Sequence, residues 1–432
     1  MRYETALRRL AQLRRPGPQG LRADADLLAV PSALRELLGD PIASIPGHVL
    51  HVAGTNGKGS VACKLTNALH TARPSSDDDS ADRHGHLAKV GTFTSPHISS
   101  WRERIRVNNE LISEADAALE LTQIFALLDE NKLDASMFEA LTALAALHFR
   151  SQECRHVVFE AGVGGELDAT TAMIQPYGIG IVTSVARDHV ALLGSDLAGI
   201  ARAKLGIVPR GSTVFVSNQV YTLAQRDAEV GKVLEKYDVR HVDPSDVNNL
   251  KDHFSPQADM PEYEWQNAAL CDLVLRHLGV EYADEALLCR PPCRAQWIGN
   301  VMLDTAHNEE AVREALANAE RWALNSTLHV AFGCSADKDA TSMLKCVQDY
   351  ANVVLHPVSA ESPRSMPVDN IVRVATELGI RTELLGSVHD TVLECKQRDE
   401  PAVVCGSTFL MPEALRALKS SLPSDPINFN EI

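Results

Sequence analysis

The chain has 432 residues, 45% of them hydrophobic and 23% charged, with a net charge of −16. These values fit a soluble globular protein of two or three domains and argue against a general nucleic-acid or membrane-surface binder. No run approaches the ~18 apolar residues of a membrane span, while anionic substrates stay open, because a basic loop or bound magnesium reverses the local field.

The nine cysteines are odd in number and lack a C-x-x-C pair, so reduced thiols in a cytosolic protein are expected. Near the N-terminus Tyr3, Ala6, Leu7, Leu10 and Leu13 form a helical stripe. That favours a first helix of the fold over an Arg-rich transit peptide. Residues 24–38 are helix-prone around Pro31 and stop at Gly39-Asp40-Pro41.

The organising stretch follows: His51-Val52-Ala53-Gly54-Thr55-Asn56-Gly57-Lys58-Gly59-Ser60, between an apolar run at 49–52 and a helical run at 61–71. Strand, glycine-rich turn and helix is the layout of a phosphate-binding loop. Its backbone N–H groups curl towards an anion and the helix adds its positive end. Lys58 can reach the β/γ-phosphates, and Ser60 or Thr55 can offer a hydroxyl to phosphate or metal. The spacing departs from the common pattern, which places Gly at Val52 and Ser or Thr at Gly59. A plain tight turn therefore stays open for the loop taken alone.

Residues 74–85 are polar and acidic, as in a flexible surface insertion. A strand is expected over 89–94, before Ser95-Pro96-His97, and helices over 113–129, opened by Ser113 with Asp116, and 136–150. The apolar run 156–159 ends at Glu160, and a glycine-rich stretch follows to 170. An acid at the C-terminal end of a central strand is where an α/β nucleotide site holds magnesium. The strand at 179–184 leads to His189, a candidate ligand from its place at that strand's end. Lys204 lies in a helical run, a strand is expected at 213–217, and helices at 219–236 and 263–278, the latter carrying Asn267. Residues 238–261 give no clear element.

Pro291-Pro292-Cys293-Arg294-Ala295 reads as a domain boundary. Beyond it, strand runs at 301–303, 329–332, 353–356 and 402–405 alternate with helical runs at 309–324, 339–350, 368–378 and 411–420. Alternation of this kind predicts a mostly parallel sheet covered by helices. The expected fold class is α/β, with a large N-terminal domain at 1–292 and a smaller Rossmann-like domain at 293–432.

GTNGKGS at 54–60, FTSPH at 93–97, RERIRVN at 102–108, FEALTALAALHF at 138–149, GGELDAT at 164–170, SVARDH at 184–189, AKLGI at 203–207, LDTAHN at 303–308 and VVCGS at 403–407 occur in this order. Together they resemble the folylpolyglutamate synthase and dihydrofolate synthase family of the Mur ligase superfamily, over nearly the whole chain. The resemblance implies an ATP- and Mg2+-dependent ligase. A pterin-linked carboxylate attacks the γ-phosphate of ATP, and L-glutamate then displaces phosphate from the acyl phosphate. The acceptor is dihydropteroate or a folate, and Asn56 tilts weakly towards the dihydrofolate synthase or bifunctional type. A Mur-type cell-wall ligase and a non-catalytic nucleotide-binding homologue are the alternatives.

Carried over by position, Gly54, Thr55, Asn56, Gly57, Lys58, Gly59 and Ser60 surround the phosphates. Asn267, Arg294, Asp304 and His307 contact ATP, and Lys58, Lys204 and His307 are the catalytic candidates. Ser95, Glu160 and His189 would hold one magnesium, and Lys204, if carbamylated, would ligate a second. Asp168 would bind the pterin end. The resemblance implies a cytoplasmic monomer, with residues from both domains completing one site. Departures from the family pattern stand at Glu166, Thr171, Arg187, Cys293 and Glu309.

Overall fold

The computed structural model describes residues 1–13, 27–72, 87–188, 190–254, 260–323, 326–420, 423 and 425–426. The acidic stretch 74–85 and His189 lie outside these. The chain divides into two compact units, one formed by Met1–His97 with Arg102–Arg290, the other by Ile98–Trp101 with Pro291–Ile432.

The first unit is built on eight strands: β1 Val49–Ala53, β2 Val90–Phe93, β3 Ile105–Val107, β4 Glu110–Leu111, β5 His156–Glu160, β6 Ile179–Val182, β7 Thr213–Val216 and β8 Asp238–His241. Their order is β4-β3-β2-β5-β1-β6-β7-β8. The pairings of β2, β5, β1, β6, β7 and β8 are parallel, and β3 and β4 add antiparallel at one edge. Strand β1 sits between β5 and β6, with β5 inserted between it and β2. The crevice at the C-terminal ends of such central strands is where ligands bind in open α/β sheets. Strands β1, β2 and β5 are buried along their full length, which explains their nearly unbroken apolar runs.

On one face the Lys58–Thr71 helix packs Val61, Leu65 and Leu69 into a cluster with Leu50, Val158, Trp265, Leu270 and Val274. Within it Lys64 and Glu264 form an ion pair at 2.9 Å, both fully buried. Ser60 Oγ donates to Glu264 at 2.6 Å, and Lys64 Nζ to Cys289 O at 2.7 Å. Removing one partner of such a pair strands a charge in the core. Lys64→Met therefore costs about 3–5 kcal/mol of stability, and Lys64→Met with Glu264→Leu recovers much of it. Urea unfolding of the two variants measures this; an additive double variant would refute the pairing.

Cys63 and Cys289 form a disulfide. The expectation that all nine cysteines are reduced thus gives way at this pair, while the other seven form no disulfide and are buried. The single helix expected at 219–236 is two, Asn218–Arg226 and Ala228–Leu234. Asp227 breaks it, with an extended backbone and a carboxylate that accepts from Glu229 N and Val230 N. The polar residues 238–261 hold β8 and the helix Pro244–Phe254.

The second unit has five strands: β9 Gln296–Ile298, β10 Val301–Leu303, β11 Leu328–Phe332, β12 Val353–Pro357 and β13 Ala402–Cys405, in the order β12-β11-β13-β10-β9. Only β9 is antiparallel. A helix not expected from the sequence, Val388–Arg398, covers one face. Ile98–Trp101 belongs here: Ile98 joins the apolar cluster of Val301, Leu303 and Val404, and Trp101 N donates to Asp425 at 2.8 Å. No helix among the described residues is long and apolar enough to cross a membrane.

Candidate nucleotide and metal site

The loop after β1 is held open by neighbours on the next strand. Asn56 N donates to Ser184 Oγ at 2.8 Å, Thr183 Oγ1 to Asn56 O at 2.5 Å, and Thr55 Oγ1 exchanges bonds with Ala186. A Cβ on Gly54 would lie 1.8 Å from Thr183 Oγ1, so only glycine fits. Gly57, at φ 85°, caps the helix that starts at Lys58. Lys58 Nζ lies 3.0 Å from Gly54 O and 3.2 Å from Thr55 O, which sets its charge across the mouth of the loop.

Asn267 sits over this turn, its Oδ1 2.7 Å from where a Gly57 Cβ would be. It is 7% exposed, and its amide nitrogen has no hydrogen-bond partner among the described residues. A buried donor left unpaired costs about 1–3 kcal/mol. An acceptor supplied by a bound nucleotide removes that cost, so the site fits ATP. Ser60, in contrast, gives its hydroxyl to Glu264 rather than to the loop's mouth.

Glu160, at the end of β5, is buried and accepts from Ser95 N at 2.9 Å. Its carboxylate and the Ser95 hydroxyl are hard oxygen donors, which suit magnesium. The buried guanidinium groups of Arg104 and Arg106 act on Glu160 electrostatically. Burial pulls Arg104 down to about 10, against Glu160 and Glu103, and Arg104 Nε donates to His97 Nδ1 at 2.9 Å. Burial, with Arg104 beside it, holds His97 neutral, well below its ordinary range. Sequence reading missed Arg104 and Arg106 as partners of Glu160. The run Arg102-Glu103-Arg104-Ile105-Arg106, with three arginines in five residues, was the available signal.

Lys204, in the Leu197–Leu205 helix, is 3% exposed. Burial lowers its pKa to about 7, the charge of Lys58 adds to the drop, and Asp188 opposes it. Lys58, Lys204 and Asp188 therefore share one electrostatic neighbourhood. Asp188 is the second group that sequence reading did not single out.

Asp168 holds the glycine-rich loop together. Its oxygens accept from Gly162 N, Val163 N, Thr170 N and Thr170 Oγ1 at 2.6–3.1 Å. Burial raises its pKa, against these donors. Asp168→Ala leaves several buried donors unpaired and lowers stability by about 2–4 kcal/mol. Urea unfolding checks this. A variant as stable as the wild type would refute this structural role.

Three departures from the family pattern have local partners in this unit. Thr171 Oγ1 donates to Gly165 O, Glu166 is exposed with its backbone N bonded to Ala203 O, and Arg187 is exposed and bonds Ser195 O.

In the second unit Asp304 follows β10 and accepts from Ala295 N at 2.9 Å and Ala306 N at 2.8 Å. Arg294 Nη1 lies 4.0 Å from Asp304 Oδ1, and His307 Nδ1 donates to Thr305 O at 2.9 Å. Cys293, at φ 55°, occupies a left-handed turn in which glycine carries no Cβ penalty. That accounts for the glycine usual there. Glu309 opens the Glu309–Ala323 helix, where a carboxylate is favoured by the helix dipole.

A family model described as Mur ligase, glutamate ligase domain, matches residues 293–406. A dihydrofolate synthase/folylpolyglutamate synthase of Bacillus subtilis is 28% identical over 88% of this chain and 92% of its own length. The chain is similar to folylpolyglutamate synthases and dihydrofolate synthases over most of its length. A probable bifunctional folylpolyglutamate synthase/dihydropteroate synthase of Halobacterium salinarum is 30% identical over 96% of the chain, and the chain spans 51% of that relative's length. A folylpolyglutamate synthase of Mycobacterium tuberculosis, solved in complex with ADP, superposes with a TM-score of 0.73 at 25% identity, over 98% of this chain and 99% of the other. The α/β class expected from the sequence agrees with this fold.

Proposed function

We propose that the chain is an ATP-dependent ligase that joins L-glutamate to a folate-type carboxylate. The observation that carries this reading is the glycine loop after β1, with Lys58 across its mouth and the unpaired amide of Asn267 above Gly57. The family relatives and the ADP complex of the mycobacterial neighbour support it.

The reaction begins when a substrate carboxylate oxygen attacks the γ-phosphorus and the bond to ADP breaks. The glutamate amine then attacks the acyl carbon, phosphate leaves and the amine gives up a proton. Lys58 and the loop N–H groups neutralise the phosphates. Ser95 and Glu160 would hold magnesium, which supplies charge neutralisation on ATP when bound. His189 is a further proposed ligand from the sequence pattern. Asn267 contacts the nucleotide, and Arg294, Asp304 and His307 are assigned to ATP on resemblance alone. The division of roles at residue 292/293, between an ATP-binding part and a glutamate-ligase part, is likewise a proposal.

ADP release with ATP, magnesium and L-glutamate tests this, with dihydropteroate and tetrahydrofolate compared as acceptors. Turnover on dihydropteroate defines a dihydrofolate synthase, on tetrahydrofolate a polyglutamate synthase, and on both a bifunctional enzyme. Nucleotide binding without turnover on either overturns the proposal.

A further inference from the structure

The second unit buries a group of side chains for which the ligase reaction has no use. His329 on β11 and His356 on β12 face each other, Nδ1 to Nε2, at 2.8 Å. Cys395, on the Val388–Arg398 helix, completes a set whose donor atoms all lie within 4.8 Å of one another. His329 is 2% exposed, His356 0% and Cys395 1%. The strand register pairs Ala331 with His356 and Phe332 with Pro357. Alternation along β11 sends Val330 and Phe332 to one apolar cluster, while Ala331 meets Val358, Val392 and Cys395 in the other. The two histidines thus lie on the face that the Cys395 helix covers.

The outer nitrogens of both rings are fixed. His329 Nε2 is 2.9 Å from Glu400 Oε2, and His356 Nδ1 is 3.0 Å from Glu383 O. A ring nitrogen that faces a carboxylate or a carbonyl carries the hydrogen. The two inner nitrogens are then the lone-pair atoms of the neutral rings, pointed at each other. Two lone pairs at this distance need a positive charge between them, either a proton or a metal ion. Imidazoles whose far N–H is held by a carboxylate or a backbone carbonyl, with the near nitrogen free to coordinate, are the usual setting of metal-ligating histidines. A thiol as the third donor selects a borderline or soft ion over magnesium or calcium.

We propose that His329, His356 and Cys395 bind a d10 transition-metal cation, Zn2+ in the first instance, which ties β11 and β12 to the helix above them. Zinc–nitrogen bonds of about 2.0–2.1 Å place two tetrahedral ligands about 3.3 Å apart, so the rings separate by about half an ångström on binding. Glu400 and Glu383 stay as they are, as the outer partners that aim the rings. Cu+ meets the same donors, and separate loading distinguishes the two ions.

The test uses untagged full-length protein loaded with Zn2+, or with Cu+ under reductant, then stripped of loosely held ions by gel filtration. One zinc per chain is expected in the wild type, with a higher Tm than the metal-free protein. The Co2+-loaded form is expected to show a thiolate charge-transfer band. Cys395→Ala removes the band and the retained metal. Glu400→Gln, at a partly exposed residue, keeps the site and weakens affinity 10–100-fold. Copper retained instead of zinc, and lost in Cys395→Ala, supports the site and changes the ion. A wild type that retains no metal, or a Cys395→Ala variant that retains as much as the wild type, overturns it and leaves a shared proton between the histidines.

Discussion

Lys58→Ala lowers kcat/KM for glutamate-dependent ADP release by about 10²–10³-fold, the scale on which loss of one preorganised charge donor acts. The residue starts a helix whose N-terminal N–H groups already point at the loop, and its Nζ lies over Gly54 O and Thr55 O. Charge and helix end converge where the phosphates would lie. If the ammonium acts on the migrating phosphoryl group, kcat falls; if it only holds ATP, KM for ATP rises and kcat stays. Lys58→Arg gives little rescue, because a planar fork does not replace a compact ammonium in a tight backbone ring. Lys58 is half-buried at the loop, whereas Lys64 is fully buried in the core, so urea unfolding should move by less than about 1 kcal/mol. Full turnover in Lys58→Ala would sink the phosphate-loop assignment.

The parts of the fold read most easily from the sequence are those whose physics is local. β1, β5 and β6 are central strands, and burial on both faces leaves apolar runs that end where the ligand loops begin. Gly54 and Gly57 were legible because a turn this sharp between strand and helix needs glycine, and Lys58 because it follows them at the helix start. β8 was not legible, because Asp238-Val239-Arg240-His241 is an edge strand that alternates between exposed and half-buried positions. The Val388–Arg398 helix did leave a signal, Val388, Thr391, Val392 and Cys395 at helical spacing, but with few apolar residues to carry it. What no local pattern could give are partners far apart in the chain. Cys63 pairs with Cys289 across 226 residues, and Lys64 reaches Glu264 only when two helices pack. The same holds in the site. Glu160 and Lys204 were placed by motif, yet Arg104, Arg106 and Asp188, which set their electrostatics, come from other segments. Ser60 shows the reverse: the motif offers its hydroxyl to a phosphate, and packing gives it to Glu264.

Lys204→Ala lowers turnover by at least about 10²-fold if the residue supplies an oxygen ligand as a carbamate, since one ligand of a catalytic ion is then missing. A lowered amine pKa is what that chemistry needs. Burial and Lys58 bring the amine down to about 7, so above that pH it is mainly neutral and nucleophilic. Its nitrogen attacks the carbon of CO2, an N–C bond forms and one proton leaves to solvent. The product is an anion, so the charge of Lys58 changes from a repulsion to an attraction, while Asp188 changes from support to opposition. Magnesium, if held by the carbamate, would supply positive charge that offsets that opposition. Wild-type activity is therefore expected to rise with added bicarbonate, and Lys204→Ala to be partly restored by short carboxylates such as formate. Rescue of this kind separates a missing ligand from a misfolded helix. Stability gives an independent reading with a definite sign. A lysine whose folded pKa lies below its value of 10.5 in the unfolded chain binds fewer protons when folded, so the stability it contributes rises as pH climbs from about 7 to 10.5. Lys204→Met removes the penalty, so it stabilises the metal-free protein most at pH 7 and below, by at most about 5 kcal/mol at ~1.4 kcal/mol per tenfold, and the gain fades towards pH 10. A variant with normal turnover, no bicarbonate response and no pH-dependent gain would return Lys204 to the role of an ordinary buried lysine.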